Sequence, residues 1–215
     1  MSGREYTPPL GTGDTSDYDR AIRRWTRERR WREATLRYLA PAAGETIVDV
    51  GCGTGTFAVL AKRSQPDAHV IGIDPDEEAL SIARAKARAA SAMVEYRRGF
   101  AQDLPPGAAD AIVSSLVLHQ VPLPGKQQML AAMHAALRPG GRLILVDYLR
   151  QTGVMRVLFR ATVQRLDGVS DTQPNADGAI PELVRKAGFV ELGEPWRIAT
   201  PSGSIGLIAA SRADR

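Results

Sequence analysis

Gly51, Gly53 and Gly55 stand two residues apart at the end of an apolar run, in the stretch "ETIVDVGCGTGTFAVLA". Residues without side chains let a ligand approach the backbone and permit the positive φ of a tight turn. The apolar helix that follows offers free N–H groups and the positive end of its dipole, which suit an anionic group. Asp49 and Cys52 are the polar and thiol side chains nearest to this turn, and Asp74 closes a second apolar run, "HVIGID". His119, in "LVLHQVP", follows a further run that ends at Ser114 and Ser115. An imidazole there can act as a general base at neutral pH, and is the candidate catalytic group; the alternatives are a loop cap or an inert wall. Asp147 and Tyr148 close another run and could add polar groups to a pocket. Cys52 is the only cysteine. With no activating partner in view it reads as a small filler, not a nucleophile or a metal ligand, and no metal site is expected.

The elements that must position these groups alternate along the chain. "TIVDV", "HVIGID", "MVEYRR", "ADAIVSS" and "RLILVDY" read as strands. Helices are predicted over Thr56–Arg63, "PDEEALSIARAKARAA" and "GKQQMLAAMHAAL", the last stopped by "RPGG". This rhythm predicts an α/β fold with a parallel sheet covered by helices on both faces. The tail differs: "AIPELVRKAG" leads into "FVELGEPWRIAT" and "SIGLIAAS", two strands close enough to be antiparallel. Residues 149–177 fit neither pattern and hold an amphipathic segment, "VMRVLFRATVQRL". The chain therefore divides into a flexible segment with basic helices over 1–40 and one α/β domain over 41–215, with 149–177 as a substrate-side insert.

A dinucleotide fingerprint requires G-x-G-x-x-G, whereas Thr56 holds the sixth position here, and no Lys-Ser or Lys-Thr completes a phosphate loop. "VDVGCGTG" resembles the first motif of class I S-adenosylmethionine-dependent methyltransferases. Asp74, "GFAQDLP", "DAIVSSLVLHQV" and "LRPGGRLIL" are similar to that family's later motifs, in order. The branch resembled most is the ubiquinone/menaquinone biosynthesis type, through "YDRAIRRW" and "RRWREATLRYLAP". The resemblance implies a Rossmann-like, doubly wound, seven-stranded sheet, mostly parallel with an antiparallel last pair. It implies S-adenosyl-L-methionine as cofactor and S-adenosyl-L-homocysteine as product. Asp49, Gly51 and Gly53 would hold the methionine end, with Cys52 beside it. Asp74 would accept the ribose hydroxyls, over Pro75. Ala101 and Gln102, or Asp103, would read the adenine edge, and Ser114 and Ser115 would face the sulfonium. Many relatives carry Asp where this chain has Phe100, so Phe100 is expected to stack on the purine or to pass its contact to Gln102 or Asp103. The implied reaction is methyl transfer by in-line displacement to a small-molecule acceptor, quinone-like or aromatic. The readings set against it are an NAD-dependent oxidoreductase and a cofactor-binding relative without catalysis. Leu116, Val117, Met155 and Phe159 are candidates for the acceptor lining, or plain core.

At 215 residues and 44% hydrophobic the chain is long enough for one sizeable core. Its net charge of +4 is concentrated: between Arg20 and Arg37 stand eight arginines and two glutamates. This stretch reads as a solvated helix face laced by Glu28 and Glu33, or as a lid anchored by Trp25 and Trp31 that meets an anionic or membrane-surface substrate. Nucleic acid is disfavoured, since aromatics make up only 6% of the chain. A single cysteine, the lack of a signal-peptide pattern and the lack of a long apolar run point to a cytoplasmic protein.

Overall fold

The structure, a computed structural model, describes residues 27–214. The predicted lid anchor Trp25 lies outside the described residues. Seven strands form one sheet in the order β3-β2-β1-β4-β5-β7-β6. They are β1 Thr46–Val50, β2 His69–Asp74, β3 Glu95–Arg98, β4 Ala109–Ser115, β5 Leu137–Tyr148, β6 Phe189–Thr200 and β7 Gly203–Arg212. The first five pair in parallel, and β7 enters antiparallel between β5 and β6.

Period-two alternation explains why β1 reads as a nearly unbroken apolar run. Val48 and Val50 join the core on one face, with Leu130, Met133 and Val184, while Ile47 joins the other, with Phe57, Val146 and Leu207. The edge strand β3, "EYRR", is largely exposed and charged, which blunts pairing with another chain. Because β1 lies between β2 and β4, the chain departs to opposite sides from the carboxyl ends of β1 and β4. In doubly wound sheets this is where a crevice opens.

The helices are α1 Glu28–Leu39, α2 Thr56–Ser64, α3 Glu77–Ala89, α4 Leu123–Ala136, α5 Gly153–Ala161, α6 Val163–Asp167, α7 Val169–Asp177 and α8 Ile180–Lys186. Helix α3 starts after the proline, not on it: Asp76 is its cap, its Oδ1 accepting from the N–H groups of Glu78 (2.9 Å) and Ala79 (3.3 Å). "RPGG" does more than stop α4. It belongs to β5, which pairs from Leu137 through an irregularity opposite Ala109–Ala111, with Gly140 at φ +72°. The insert of 149–177 is helical, as α5, α6 and α7. It is tied to β7 by Gln151, which donates to Ser204 O (2.7 Å) and accepts from Ser204 N–H (2.7 Å).

In α1 the arginines do pair with the two glutamates, Arg29 to Glu33 (2.8 Å) and Arg32 to Glu28 (2.7 Å). Trp31 is not a free anchor, however. It is 1% exposed and packs with Leu39, Ile47 and Phe57.

Candidate active site

The glycine turn joins β1 to α2. Gly51, Gly53 and Gly55 have φ of +72°, +52° and +73°. Each glycine answers a different demand. A Cβ on Gly51 would run into Val117 Cγ2, one on Gly55 into the Tyr96 hydroxyl and Ala83, and one on Gly53 would meet nothing within 4 Å. Gly55 is thus needed for helix–sheet packing, whereas Gly53 faces open space. The amides are already engaged: Gly51 and Cys52 N–H donate to Ile73 O (2.8 and 3.1 Å), and Gly53 N–H to Asp74 Oδ2 (2.8 Å).

Asp74 Oδ1 accepts from Asp76 N–H (2.9 Å). One carboxylate therefore braces both the glycine turn and the start of α3. Burial raises its pKa, against the pull of those N–H groups. Asp49 is more isolated. It is 1% exposed, and neither carboxylate oxygen has a hydrogen-bond partner of good geometry among the described residues. Desolvation pushes its carboxyl up to about 7, opposed by Arg32 and by the Ala58 backbone N–H and aided by the Asp74 charge.

Over the turn lies a cavity of about 580 Å³. Eleven residues singled out from the sequence line it: Gly51, Gly53, Asp74, Pro75, Phe100, Ala101, Gln102, Asp103, Ser115, Leu116 and Val117. Phe100 sits at the rim, 40% exposed. Its N–H donates to Asp103 Oδ2 (2.8 Å), which holds the 3-10 turn Ala101–Asp103. Asp49 and Cys52 are not among the lining residues. Asp49 is buried at the end of β1, and the Cys52 thiol is turned toward Gly53 O (3.8 Å). Burial and the carboxylates of Asp49 and Asp74 hold that thiol protonated, so it has no nucleophilic character. Ser114 is a brace, its hydroxyl donating to Val50 O (2.9 Å) across β4 and β1.

His119 is not in the cavity wall. It is 4% exposed, with Nδ1 2.8 Å from Asp147 Oδ1 and Nε2 3.6 Å from Asp167 Oδ2, and its ring edge on Tyr148. The expected base is thus clamped between the end of β5 and the insert. Burial raises the Asp167 carboxyl against the effect of His119. Phe159 is core too, fully buried against Tyr148 and Gly203, and Met155 is half-buried, outside the cavity lining.

The wall that sequence reasoning missed comes from the loop after β4 and from α4: Gln120, Val121, Pro122, Gly125, Gln128 and Met129. The only signal was their position after the fourth strand. A fully buried lysine shapes this wall. Lys126 Nζ donates to Leu118 O, Val121 O (2.6 Å) and Asp171 O (2.7 Å), tying the loop to the insert. Burial draws its ammonium down to about 8, against the charges of Asp147 and Asp171.

The fold has counterparts in known proteins. Residues 47–141 match a family described as a methyltransferase domain. The demethylmenaquinone methyltransferase of Lactococcus lactis subsp. lactis is 30% identical over 200 residues, which cover 82% of this chain and 79% of that one. An O-methyltransferase family protein from Burkholderia thailandensis superposes with a TM-score of 0.77 at 19% identity, over 93% of this chain and 59% of that one. A phosphoethanolamine N-methyltransferase 2 from Haemonchus contortus, solved with S-adenosyl-L-methionine, superposes with a TM-score of 0.68 at 17% identity, over 86% and 52%. The two solved structures share the fold, and the L. lactis relative matches in sequence over most of both chains; the protein belongs to the class I S-adenosylmethionine-dependent methyltransferases.

Proposed function

We propose that this methyltransferase acts on a quinone-like or aromatic small molecule, with S-adenosylmethionine held across the glycine turn. The observation that carries the placement is the cavity over the glycine turn, lined by Gly53, Asp74, Phe100 and Gln102, with Gly53 leaving space for a ligand and Asp49 a buried carboxylate behind it. Such a group calls for a cationic partner, and an ammonium fits it. The name of the L. lactis relative supports the acceptor class.

When bound, the cofactor supplies an electrophilic methyl group on a sulfonium, and its departure leaves a neutral thioether. The rest falls to the chain's own side chains. Asp49 takes the ammonium. Gly53 gives room rather than a hydrogen bond, because its N–H is already spent on Asp74, and Gly51, its N–H spent on Ile73, makes way for Val117 in the wall. Asp74 keeps a second lone pair on each oxygen for the ribose hydroxyls. Pro75 packs under the ribose, Phe100 flanks the adenine, Ala101 and Gln102 meet its edge, and Ser115 marks the end of β4 toward the methyl group. Cys52 fills space behind the turn. An in-line displacement asks mainly for alignment and exclusion of water. His119 therefore acts as a positioning residue, shaping the loop that carries Gln120 and Val121; that loop and α4 form the acceptor side, braced from behind by the insert through Lys126.

Calorimetry with S-adenosylhomocysteine and NAD, followed by turnover of labelled S-adenosylmethionine over quinols, phenols and amines, tests the reading. We expect S-adenosylhomocysteine alone to bind, quinols to be methylated, and Asp74→Ala to weaken binding about 100-fold. Turnover confined to amines would sink the acceptor assignment, and undiminished binding by Asp74→Ala would sink the site.

A further inference from the structure

The insert carries a surface that the cavity does not explain. Val154, Val157, Leu166 and Val169 are exposed by 58–70%, and no other part of the described chain gathers large apolar side chains on its surface in this way. In α5, Val154, Val157 and Ala161 recur at helical spacing on one exposed face, while Phe159 turns inward. Arg156 and Arg160 stand beside that face, and Arg165 precedes Leu166 in α6. From Arg150 to Leu166 there are four arginines and no acid. The nearest acid, Asp167, is turned inward to His119; Asp177 is spent on Arg156 (2.8 Å); and Asp171 is half-buried.

We infer that the outer face of α5 and α6 docks on an anionic lipid surface. Apolar tips flanked by arginines match the boundary of a bilayer, where valine and leucine enter the acyl region and guanidinium groups remain at the phosphates. A second copy of the chain fits less well, because it would set one arginine-rich face against another. Exposed apolar side chains gathered on neighbouring helices in this way mark an interaction site. Few side chains insert, so binding is reversible and leans on charge. The surface also adjoins the cavity: Asp167, next to Leu166, is hydrogen-bonded by Gln120, which lines it. Docking would thus bring the cavity wall to the lipid. The inference rests on the surface alone and stands whatever the acceptor is.

Co-sedimentation with vesicles of phosphatidylcholine, alone or mixed equally with phosphatidylglycerol, tests it. The full chain is expected to bind the mixed vesicles, to leave them at high salt, and to ignore phosphatidylcholine. Val157→Glu with Leu166→Glu should abolish binding, and Arg160→Gln with Arg165→Gln should weaken it by more than about tenfold. Both pairs should leave S-adenosylhomocysteine affinity unchanged, since none of these residues lines the cavity. Equal binding to both lipids, or binding retained by Val157→Glu/Leu166→Glu, would overturn the assignment. So would self-association abolished by that pair without any vesicle binding, which would give the face to a second copy.

Discussion

A carboxylate buried with both oxygens unpartnered is costly, and Asp49 carries that cost beside the cavity. Its pKa of about 7 lies well above that of an aspartate in an unfolded chain. The folded protein therefore holds a proton that the unfolded chain releases. The carboxyl costs nothing below the unfolded pKa; stability falls as pH rises from there to about 7, and the loss is complete above it. Asp49→Asn removes this penalty. It should raise the Tm of the free protein at pH 8 by at least about 2 °C, with the gain fading toward pH 4. The same change should weaken S-adenosylhomocysteine binding by about 10- to 100-fold, the worth of a charged hydrogen bond. Thermal unfolding at both pH values and calorimetry measure the two effects. A variant less stable than the parent at pH 8 would mean that the carboxylate already has a partner.

At the scale of elements, the β1–α2 turn is held from outside itself. Val117, from the loop after β4, packs where a Gly51 side chain would be, and Asp74, from the end of β2, receives Gly53 N–H. Gly51→Ala should cost about 2–4 kcal/mol, combining strain at φ +72° with overpacking. Gly51→Ala with Val117→Ala should lose less than the sum of the two changes, because the second relieves the clash but not the backbone strain. Denaturant unfolding of the two singles and the double reads that coupling. Strict additivity would mean that the clash is not what keeps the position glycine.

The molecule as a whole is a sheet whose central strands are covered on both faces, with an insert that touches the core lightly. Val48, Ile112 and Leu143 are fully buried on one side, and Ile205 and Leu207 on the other. From α5 to α7 only Phe159, Val163 and Ala176 join a core cluster. Hydrogen exchange should therefore be slowest in β1, β4 and β5 and faster across α5 and α6, with S-adenosylhomocysteine slowing the glycine turn and Ala101–Asp103. Exchange in α5 as slow as in β4 would show that the insert unfolds only with the sheet.

What could be read from the sequence alone shares one property: it is written in neighbouring residues. Apolar periodicity marks strands and helices, and three glycines announce a turn with positive φ. The run from Gly99 to Pro105 and the carboxylate of Asp74 sit at the ends of strands whose positions follow from the alternation. Contacts between elements distant in the chain decided the rest. His119 was placed correctly after β4, yet Asp147 and Asp167 hold its ring away from the cavity. Gln120, Gln128 and Met129 became wall, and Trp31 became core, for the same reason. Local propensity says which way a backbone runs, but the direction a side chain faces depends on what packs against it, and those partners lie tens of residues away.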